Sequence, residues 1–385
     1  WLLQNALLTG AVPNAEDPPT KRLHGLVAEY RQLQSSLPEP TRVPAMTDGT
    51  RLEERVFIRG NHRTPGDKVP PRFLEAIAGS DQPPIGPHCG RLELARAMTD
   101  PSNPFLARVI VKRFWHHLFG QGIVASVDNF GALGERSTHP ELLDWLADWF
   151  RTEGGWSTKK LIRLLVTSQA YRMSSAPTDA LAEEKDPTNA LLHRMRVRRL
   201  EGEAIRDSLL LVSGRLSETM SGPSVPIHLT PFMDGRGRPG QSGPLDGDGR
   251  RSIYVEVRRN FLAPMMLAYD TPIPFTTVGR RNSSNVPAQA LTLMNDPFVV
   301  QQAERLAQRL MRETPPEPPD RLRHLYQILF GRPPGNFELA QGLEFLSRQS
   351  SAYGLEKAEQ QPSDLRTWTD LCHVLFNVKE FVFIN

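Results

Sequence analysis

Cysteine and long apolar runs are scarce in this sequence, and that scarcity excludes several classes of protein. Among 385 residues there are two cysteines, Cys89 and Cys372. Two are too few for a disulfide-dense scaffold, a cysteine-rich zinc site or a haem-attachment motif. The sequence leaves open whether they pair. No run of about 18 apolar residues occurs, so no segment is expected to span a membrane.

Strong charge imbalance and familiar catalytic motifs are also missing. The formal net charge is +3, and a dedicated nucleic-acid binder would carry a strongly basic face. No nucleophile elbow, phosphate-binding loop or dinucleotide-binding glycine fingerprint is found. The segment "DGDGR" at 246–250 is too short for a calcium loop. We therefore predict no nucleic-acid partner, no cofactor and no structural metal.

Arginine is the residue present in excess. The chain has 38 arginines and eight lysines, and arginine makes two-pronged contacts with carboxylate, phosphate or sulfate groups. A GC-rich genome would also account for most of this excess. Because the chain begins at Trp1, without Met or a signal peptide, we expect it to be a piece of a longer protein.

Apolar spacing predicts a mainly α fold, with a helical core and a minor β element. Strands are predicted near 55–59 and near 252–258. The spacing Thr138-x-x-Glu141 is that of a capping box. Four helices, 104–119, 139–151, 158–172 and 201–213, are expected to share one core. The residues predicted to be largely buried are Leu106, Ile110, Phe114, Trp115, Leu143, Leu146 and Leu165.

Composition predicts three parts of the chain. Residues 1–50 are expected to form an N-terminal helical segment with a linker, and residues 51–312 the main, mostly helical domain. A proline-rich stretch, "ETPPEPPD" at 313–320, then leads into a C-terminal helical segment. We expect this segment, 313–385, to pack on the main domain.

Two adjacent histidines near the end of the helix predicted at 104–119 are the first candidate site. At a spacing of four residues, His116 continues a column with Arg108 and Lys112, and His117 a column with Arg113. A metal site requires carboxylates or further histidines that converge on the ion, and neighbouring cations oppose metal binding. Anion binding is therefore one interpretation. The other is that a histidine in the last turn bonds the unpaired helix carbonyls.

Polar residues follow that helix in the stretch "VDNFG". Asp128 and Asn129 are typical of a turn in which their side chains bond the backbone, and Asp128 could instead pair with Arg113 or line a pocket. His139 falls in the first turn of the next helix, where a neutral imidazole is favoured and can donate a hydrogen bond or act as a base. An ordinary surface position is the alternative for His139.

A second polar cluster lies at "VGRRNSSNVP". Arg280, Arg281 and Asn282 come shortly before a helix expected to begin near Pro287. Backbone N–H groups at a helix start, together with adjacent arginines, could hold an anion. The alternative is a capped loop whose arginines pair with carboxylates elsewhere in the fold.

Several long stretches carry a resemblance to a known family. They include "RVFIRGNHRTPGDKVPPRFL", "NPFLARVIVKRFWHHLFGQGIVASVDNFGALGERSTHPELLDWLADWF", "GWSTKKLIRLLVTSQAYRMSS", "DPTNALLHRMRVRRLEGEAIRDSLLLVSG", "RRSIYVEVRRNFL", "GRRNSSNVPAQALTLMNDPFV" and "FNVKEFVFIN". The sequence resembles the planctomycete PSD-one domain, domain of unknown function 1553, over nearly all of the chain beyond about residue 50. It departs from the family at Lys112, usually Asn, and at Ser137-Thr138, usually Pro-Ser.

The resemblance implies a setting without implying a reaction. In such proteins the domain is C-terminal, and a c-type cytochrome module often precedes it. This implies an exported parent, an extracytoplasmic location and cytochrome-bearing domains upstream as partners. Such proteins are often encoded beside sulfatase-like proteins, which suggests use of sulfated polysaccharide.

The function expected from these observations is a non-catalytic module that binds an anionic or glycan-type ligand, such as a sulfated or acidic polysaccharide. One alternative is a structural or redox-docking scaffold for the cytochrome. Another is a polysaccharide hydrolase with His139, Asp128 and Glu141 as acid–base candidates, which would need two carboxylates in one cleft. The ligand-binding candidates are Arg59, Asn61, His116, Asp128, Asn129, His139, Arg280, Arg281 and Asn282.

Overall fold

Helices dominate the protein, as the apolar spacing predicts, and strands are few and short. The computed structural model describes residues 18–37, 45–47, 49, 54–83, 85–86, 89–275, 277–355 and 364–384. Contacts divide the chain into two units, Trp1–Asn103 and Pro104–Asn385. This division does not coincide with the boundaries expected after residues 50 and 312. No helix in the described part of the chain is long and apolar enough to cross a membrane.

The first unit contains a β-hairpin, one long helix and two shorter ones. Strands Glu54–Phe57 and Pro65–Val69 pair antiparallel, with Glu54 opposite Val69, which confirms the strand expected near 55–59. Arg59 has a φ of 53° in the 3₁₀ turn that follows the first strand. The helices of this unit are Pro18–Ser36, Glu75–Ala78 and Arg91–Thr99.

The second unit is built from twelve described helices and one two-stranded sheet. Strands Arg198–Arg199 and Phe383–Ile384 form the sheet, antiparallel. The helices are Phe105–Phe119, Pro140–Arg151, Thr158–Val166, Ala180–Lys185, Gly202–Val212, Pro264–Ala268, Pro287–Asn295, Pro297–Glu313, Pro318–Phe330, Asn336–Ala352, Leu365–Phe376 and Lys379–Val382.

The first core of this unit joins helices Phe105–Phe119, Pro140–Arg151 and Thr158–Val166. Leu143, Leu146 and Leu165 are buried in it as predicted, and so is Trp115. Helix 105–119 buries a different column of apolar residues from the one predicted. The column of Ala107, Val111, Trp115 and Phe119 is buried, whereas Leu106, Ile110 and Phe114 are only half-buried.

The expectation of one core shared by four helices is wrong. Helix Gly202–Val212 packs in a second core with helices Pro297–Glu313, Pro318–Phe330 and Leu365–Phe376. Its apolar residues Ile205, Leu209 and Leu210 are fully buried there. The helices that follow residue 313 therefore share a core with helices that precede it.

No strand forms over 252–258, contrary to the prediction. Ser252–Tyr254 is a 3₁₀ turn, and the nearby pairing is limited to isolated bridges, such as Val225 with Val255. The Ser252 N–H and Oγ–H both donate to Asp207 Oδ1, each at 2.7 Å. These bonds tie the segment to helix Gly202–Val212 and prevent it from extending along a neighbouring strand.

Helix ends follow the expected chemistry at two positions and depart from it at a third. Ser157 caps the helix that begins at Thr158, and Gly120 ends helix Phe105–Phe119 with a φ of 77°. The capping box at Thr138 is wrong, because His139 is the N-cap residue and makes no side-chain capping bond. The Thr138 hydroxyl donates instead to the Ile123 carbonyl, at 3.3 Å.

Candidate functional site

A cavity of about 750 Å³ opens in the second unit and is lined mainly by four segments. They are the end of helix 105–119, the extended stretch 194–201, the loop 281–285 and the strand Phe383–Ile384. We call it the arginine cavity, because five arginines line it. Its charged and polar lining residues are His116, His117, Arg194, Arg196, Arg198, Arg199, Glu201, Tyr269, Arg281, Asn282, Ser283, Ser284 and Asn285.

Arg198 lies across the end of the helix that carries the histidines. Its Nη1 donates to the His117 carbonyl at 2.7 Å, so a guanidinium satisfies one of the carbonyls that the helix end leaves unpaired. Gly120 makes this possible, because a Cβ there would collide with the Arg198 side chain. The helix-end role that the sequence suggested for a histidine therefore belongs to an arginine from a distant segment.

The Arg199 side chain is deeply buried, with only 6% of its surface exposed. It donates to Asp270 Oδ2 at 2.8 Å and to the Ser284 carbonyl at 2.6 Å. The Ser284 N–H and hydroxyl donate to the same carboxylate. Burial raises the pKa of Asp270, but these hydrogen bonds outweigh it and hold that pKa below its usual range. The network fixes the loop 281–285 against the strand.

Arg194 and Arg196 complete the basic wall. Arg194 pairs with Glu183, with 2.5 Å between Nε and Oε1. Arg196 donates to the carbonyls of Thr188 and Asn189 and has no ion pair with any described residue. Burial and the neighbouring Arg194 lower the pKa of Arg196. Arg194 is therefore matched by a carboxylate, whereas Arg196 has no carboxylate partner among the described residues.

Four buried nitrogen atoms of lining residues have no hydrogen-bond partner in the described part of the chain. They are His116 Nδ1 and the Nε atoms of Arg196, Arg198 and Arg199. Buried polar atoms are nearly always paired in folded proteins, because an unmade hydrogen bond costs about 1–3 kcal/mol. Four such atoms occur among the residues that line one cavity, and ordered water or a bound polar group would complete their hydrogen bonding.

The surroundings of His116 favour the neutral form of its ring. Burial, His117, Arg280 and Arg198 all lower its pKa below the ordinary 6.5, and Asp128 opposes them. The two histidine rings meet edge to face, with centroids 5.5 Å apart. A neutral imidazole adds no further repulsion among the arginines, and a bound anion would make it easier to protonate.

The turn at Asp128 and the loop at Arg280 meet beside this histidine. A Cβ on Gly279 would collide with the Asp128 carboxylate, so the absence of a side chain there allows the close approach. Both Asp128 and Arg280 are exposed, and both lie near enough to His116 to influence its pKa. They belong to the rim, since neither lines the cavity itself.

Lys112, one turn before His116, is buried instead of solvated, with 1% of its surface exposed. Its ammonium lies 4.4 Å from the centre of the Phe130 ring and donates to the Ser126 carbonyl at 3.4 Å. Burial lowers its pKa, and so does Arg113. These contacts connect helix 105–119 to the turn that carries Asp128.

Two of the other predicted residues line the cavity, and two do not. Arg281 and Asn282 line the arginine cavity, and Arg281 also forms a two-pronged pair with Glu203 at 2.5 and 2.9 Å. Asn129 Oδ1 accepts from the Gly131 N–H, which is the turn bond expected of it. His139 does not line the cavity.

Two further candidates lie in the first unit. Arg59 and Asn61 belong to the hairpin turn, where Asn61 Oδ1 accepts from the Arg63 N–H at 3.0 Å. They are not among the residues that line the arginine cavity, so their role as ligand contacts stays a prediction.

The arginines of "HRMRVRRL", residues 193–200, line the cavity but are not among the candidates predicted from the sequence. The spacing of Arg194, Arg196 and Arg198 could have identified them. Alternate residues of an extended segment face the same side, so these three arginines are expected on one face. The cavity also needs the strand at the C-terminal end, which pairs with Arg198–Arg199. Nothing local in the sequence indicates that long-range pairing.

Metal and thiol chemistry find no support in the described residues. No group of three or more His, Cys, Asp or Glu side chains among them is placed to hold a metal ion. Cys372 forms no disulfide, and the Cys89 sulfur accepts a hydrogen bond from Arg91 Nε at 3.1 Å. Cys372 is fully buried, and burial raises the pKa of its thiol, so it lacks the thiolate character of a reactive cysteine.

The family model PSD1, described as a protein of unknown function (DUF1553), matches residues 90–346. The match covers well over half of the chain and includes most of the residues that line the arginine cavity. The chain therefore belongs to this family. No curated protein and no solved structure matches it.

Proposed function

We propose that this PSD1-family chain is a non-catalytic binding module whose arginine cavity holds the anionic group of a glycan-type ligand. The observation that carries the proposal is the set of four buried, unpaired nitrogens of His116, Arg196, Arg198 and Arg199 around one cavity. A sulfate ester or a uronate carboxylate supplies several acceptor oxygens at once. Guanidinium groups match both in geometry.

The composition of the cavity favours binding over hydrolysis. Glu201 is the one carboxylate among the described lining residues, and it lies 3.4 Å from Arg281 Nη1. A glycosidase needs two carboxylates at a defined separation across the scissile bond. The acid–base candidates His139, Asp128 and Glu141 are not in this lining. The proposed role is therefore to hold a charged ligand for a partner domain.

The setting that we propose follows from the family resemblance. The parent protein is extracytoplasmic and carries cytochrome domains upstream of this chain. Its ligand is a sulfated or acidic polysaccharide presented outside the cytoplasm. The scaffold alternative, in which the chain only docks the cytochrome, gives no reason for a basic cavity with unpaired donors.

The test compares dextran sulfate with unsulfated dextran, using thermal melting and titration calorimetry at matched ionic strength. We expect dextran sulfate to bind and raise the melting temperature, and dextran to do neither. Arg280→Gln is the informative variant, because Arg280 is exposed at the rim and has no ion pair among the described residues. It should weaken binding about tenfold with little change in melting temperature.

Arg305→Gln is the matched control for that experiment. Arg305 is exposed on helix Pro297–Glu313 and does not line the cavity. The Arg305→Gln substitution removes the same charge as Arg280→Gln. If binding depended only on general attraction between the protein and a polyanion, the two variants would have equal affinities for dextran sulfate. Equal affinities for Arg280→Gln and Arg305→Gln would contradict a localised site.

A further inference from the structure

We propose that a second cavity in the 104–385 unit binds a neutral small molecule that has an apolar body and at least one hydroxyl group. This cavity measures about 410 Å³, within the range of about 300–1,000 Å³ typical of small-molecule sites. Its walls are largely apolar, with Met265 and Phe298 among them. Such walls bind the non-polar part of a ligand by removing it from water.

Two threonine hydroxyls in this lining have no partner. Thr230 Oγ1 and Thr271 Oγ1 are buried, and neither makes a hydrogen bond to any described residue. They come from separate segments of the chain, yet they line one cavity. A hydroxyl both donates and accepts, so a ligand hydroxyl can satisfy these oxygens. The pair is the polar counterpart to the apolar walls.

The two arginines of this cavity already have partners, which favours a neutral ligand over an anion. Arg281 is paired with Glu203, and Arg206 donates to the carbonyls of Arg250 and Asp246. No guanidinium among the described lining residues here carries an unpaired Nε, unlike those of the arginine cavity. An anion would therefore enter without a free cation to meet it.

Asp296 provides a hydrogen-bond acceptor in the cavity, and its negative charge does not need a ligand cation to compensate it. It caps helix Pro297–Glu313, and one of its oxygens accepts from the Phe298 N–H at 2.9 Å. The positive end of that helix compensates its charge, while burial raises its pKa. A ligand hydroxyl can donate a hydrogen bond to this carboxylate, and burying a hydroxyl costs less desolvation free energy than burying an ammonium ion.

His228 adds a second acceptor. Its Nδ1 lies 3.0 Å from the Gly243 carbonyl, and a carbonyl can only accept, so Nδ1 carries the proton. The other ring nitrogen is an acceptor when the imidazole is neutral. Together with Asp296 and the two threonines, it gives a hydroxylated molecule several partners inside an apolar cavity.

The test uses cyclohexanol as the probe, with binding followed by saturation-transfer NMR and calorimetry on the full chain. We expect cyclohexanol to bind and cyclohexanecarboxylate and cyclohexylammonium to bind at least tenfold more weakly. Thr230→Val and Thr271→Val should each weaken cyclohexanol binding about fivefold, the effect of one lost hydrogen bond. Thr292→Val is the control, because its hydroxyl is bonded to Ala288 within a helix.

The melting temperature without probe separates binding from a structural role. Replacing an unpaired buried hydroxyl with a methyl group should leave the melting temperature unchanged or raise it. A loss of stability with unchanged probe affinity would overturn the proposal, because the hydroxyls would then serve the fold through ordered water. Failure of cyclohexanol to bind, or tighter binding of either charged probe, would overturn it as well.

Discussion

At the scale of single residues, the arginine cavity depends on glycines that allow side chains to approach the backbone. Gly120 admits Arg198 over the end of helix 105–119, and Gly279 admits the Asp128 carboxylate. Neither role can be read from the sequence, where both glycines look like ordinary turn residues. Their importance follows from what occupies the space that a Cβ would take.

Gly120→Ala should destabilise the protein more than a substitution at a helix-ending glycine normally does. Gly331 is the matched control, with a φ of 69° at the end of helix Pro318–Phe330 and no atom within 4 Å of the point where a Cβ would lie. Gly331→Ala should cost about 1 kcal/mol in the free energy of unfolding, from backbone strain alone. Gly120→Ala carries this strain and also displaces Arg198. Equal costs in urea denaturation would contradict the account.

Arg281→Ala tests the two interpretations that the sequence left open for this residue. Because Arg281 forms a charged, two-pronged pair with Glu203, we expect a loss of about 1.5–3 kcal/mol in the free energy of unfolding. Because it also lines the arginine cavity, dextran sulfate should bind more weakly. Chemical denaturation and calorimetry measure the two effects separately. A variant with unchanged stability would show that the pair contributes nothing.

At the scale of elements, apolar spacing predicts the helices well and their partners poorly. Helices 105–119 and 140–151 form almost where the periodicity puts them. The buried stripe of 105–119 differs from the predicted one because both neighbouring columns are apolar, and only packing decides between them. The cavity itself depends on the strand Arg198–Arg199 pairing with Phe383–Ile384, which no local pattern specifies.

Trp115→Ala should cost about 3–5 kcal/mol in the free energy of unfolding. Trp115 is buried and its ring stacks on Phe119, with centroids 4.1 Å apart. Phe114→Ala, at the adjacent half-buried position, should cost roughly half as much. Urea denaturation of the two variants compares the stripes directly. A larger loss for Phe114→Ala would mean that the helix presents its other face to the core.

At the scale of the whole molecule, the 104–385 unit consists of two helical cores with the arginine cavity lined by segments from both. Helix 105–119 belongs to the first core, and Tyr269 belongs to the second. An anion bound in this cavity, as we propose, would link the two cores. Ligand binding should therefore stabilise the unit as a whole, in proportion to the logarithm of the free ligand concentration.

The pH dependence of the free energy of unfolding should reflect protonation of the His116 ring. Because its pKa in the folded protein lies below the ordinary 6.5, the unfolded chain binds this proton more readily. Stability should therefore fall as the pH decreases below about 6.5. His116→Gln should reduce this loss, and bound dextran sulfate should also reduce it by raising the pKa. Denaturation at pH 7.5 and 5.5, with and without the polyanion, measures all three.

The most direct measurement is diffraction from crystals soaked in selenate, a sulfate analogue that can be located by its anomalous signal. The account predicts one selenium peak inside the arginine cavity, with oxygens within hydrogen-bond distance of His116 Nδ1 and the Nε atoms of Arg196 and Arg198. Those nitrogens are buried and unpaired among the described residues. Ordered waters on all three, with no selenium peak in the cavity, would contradict it.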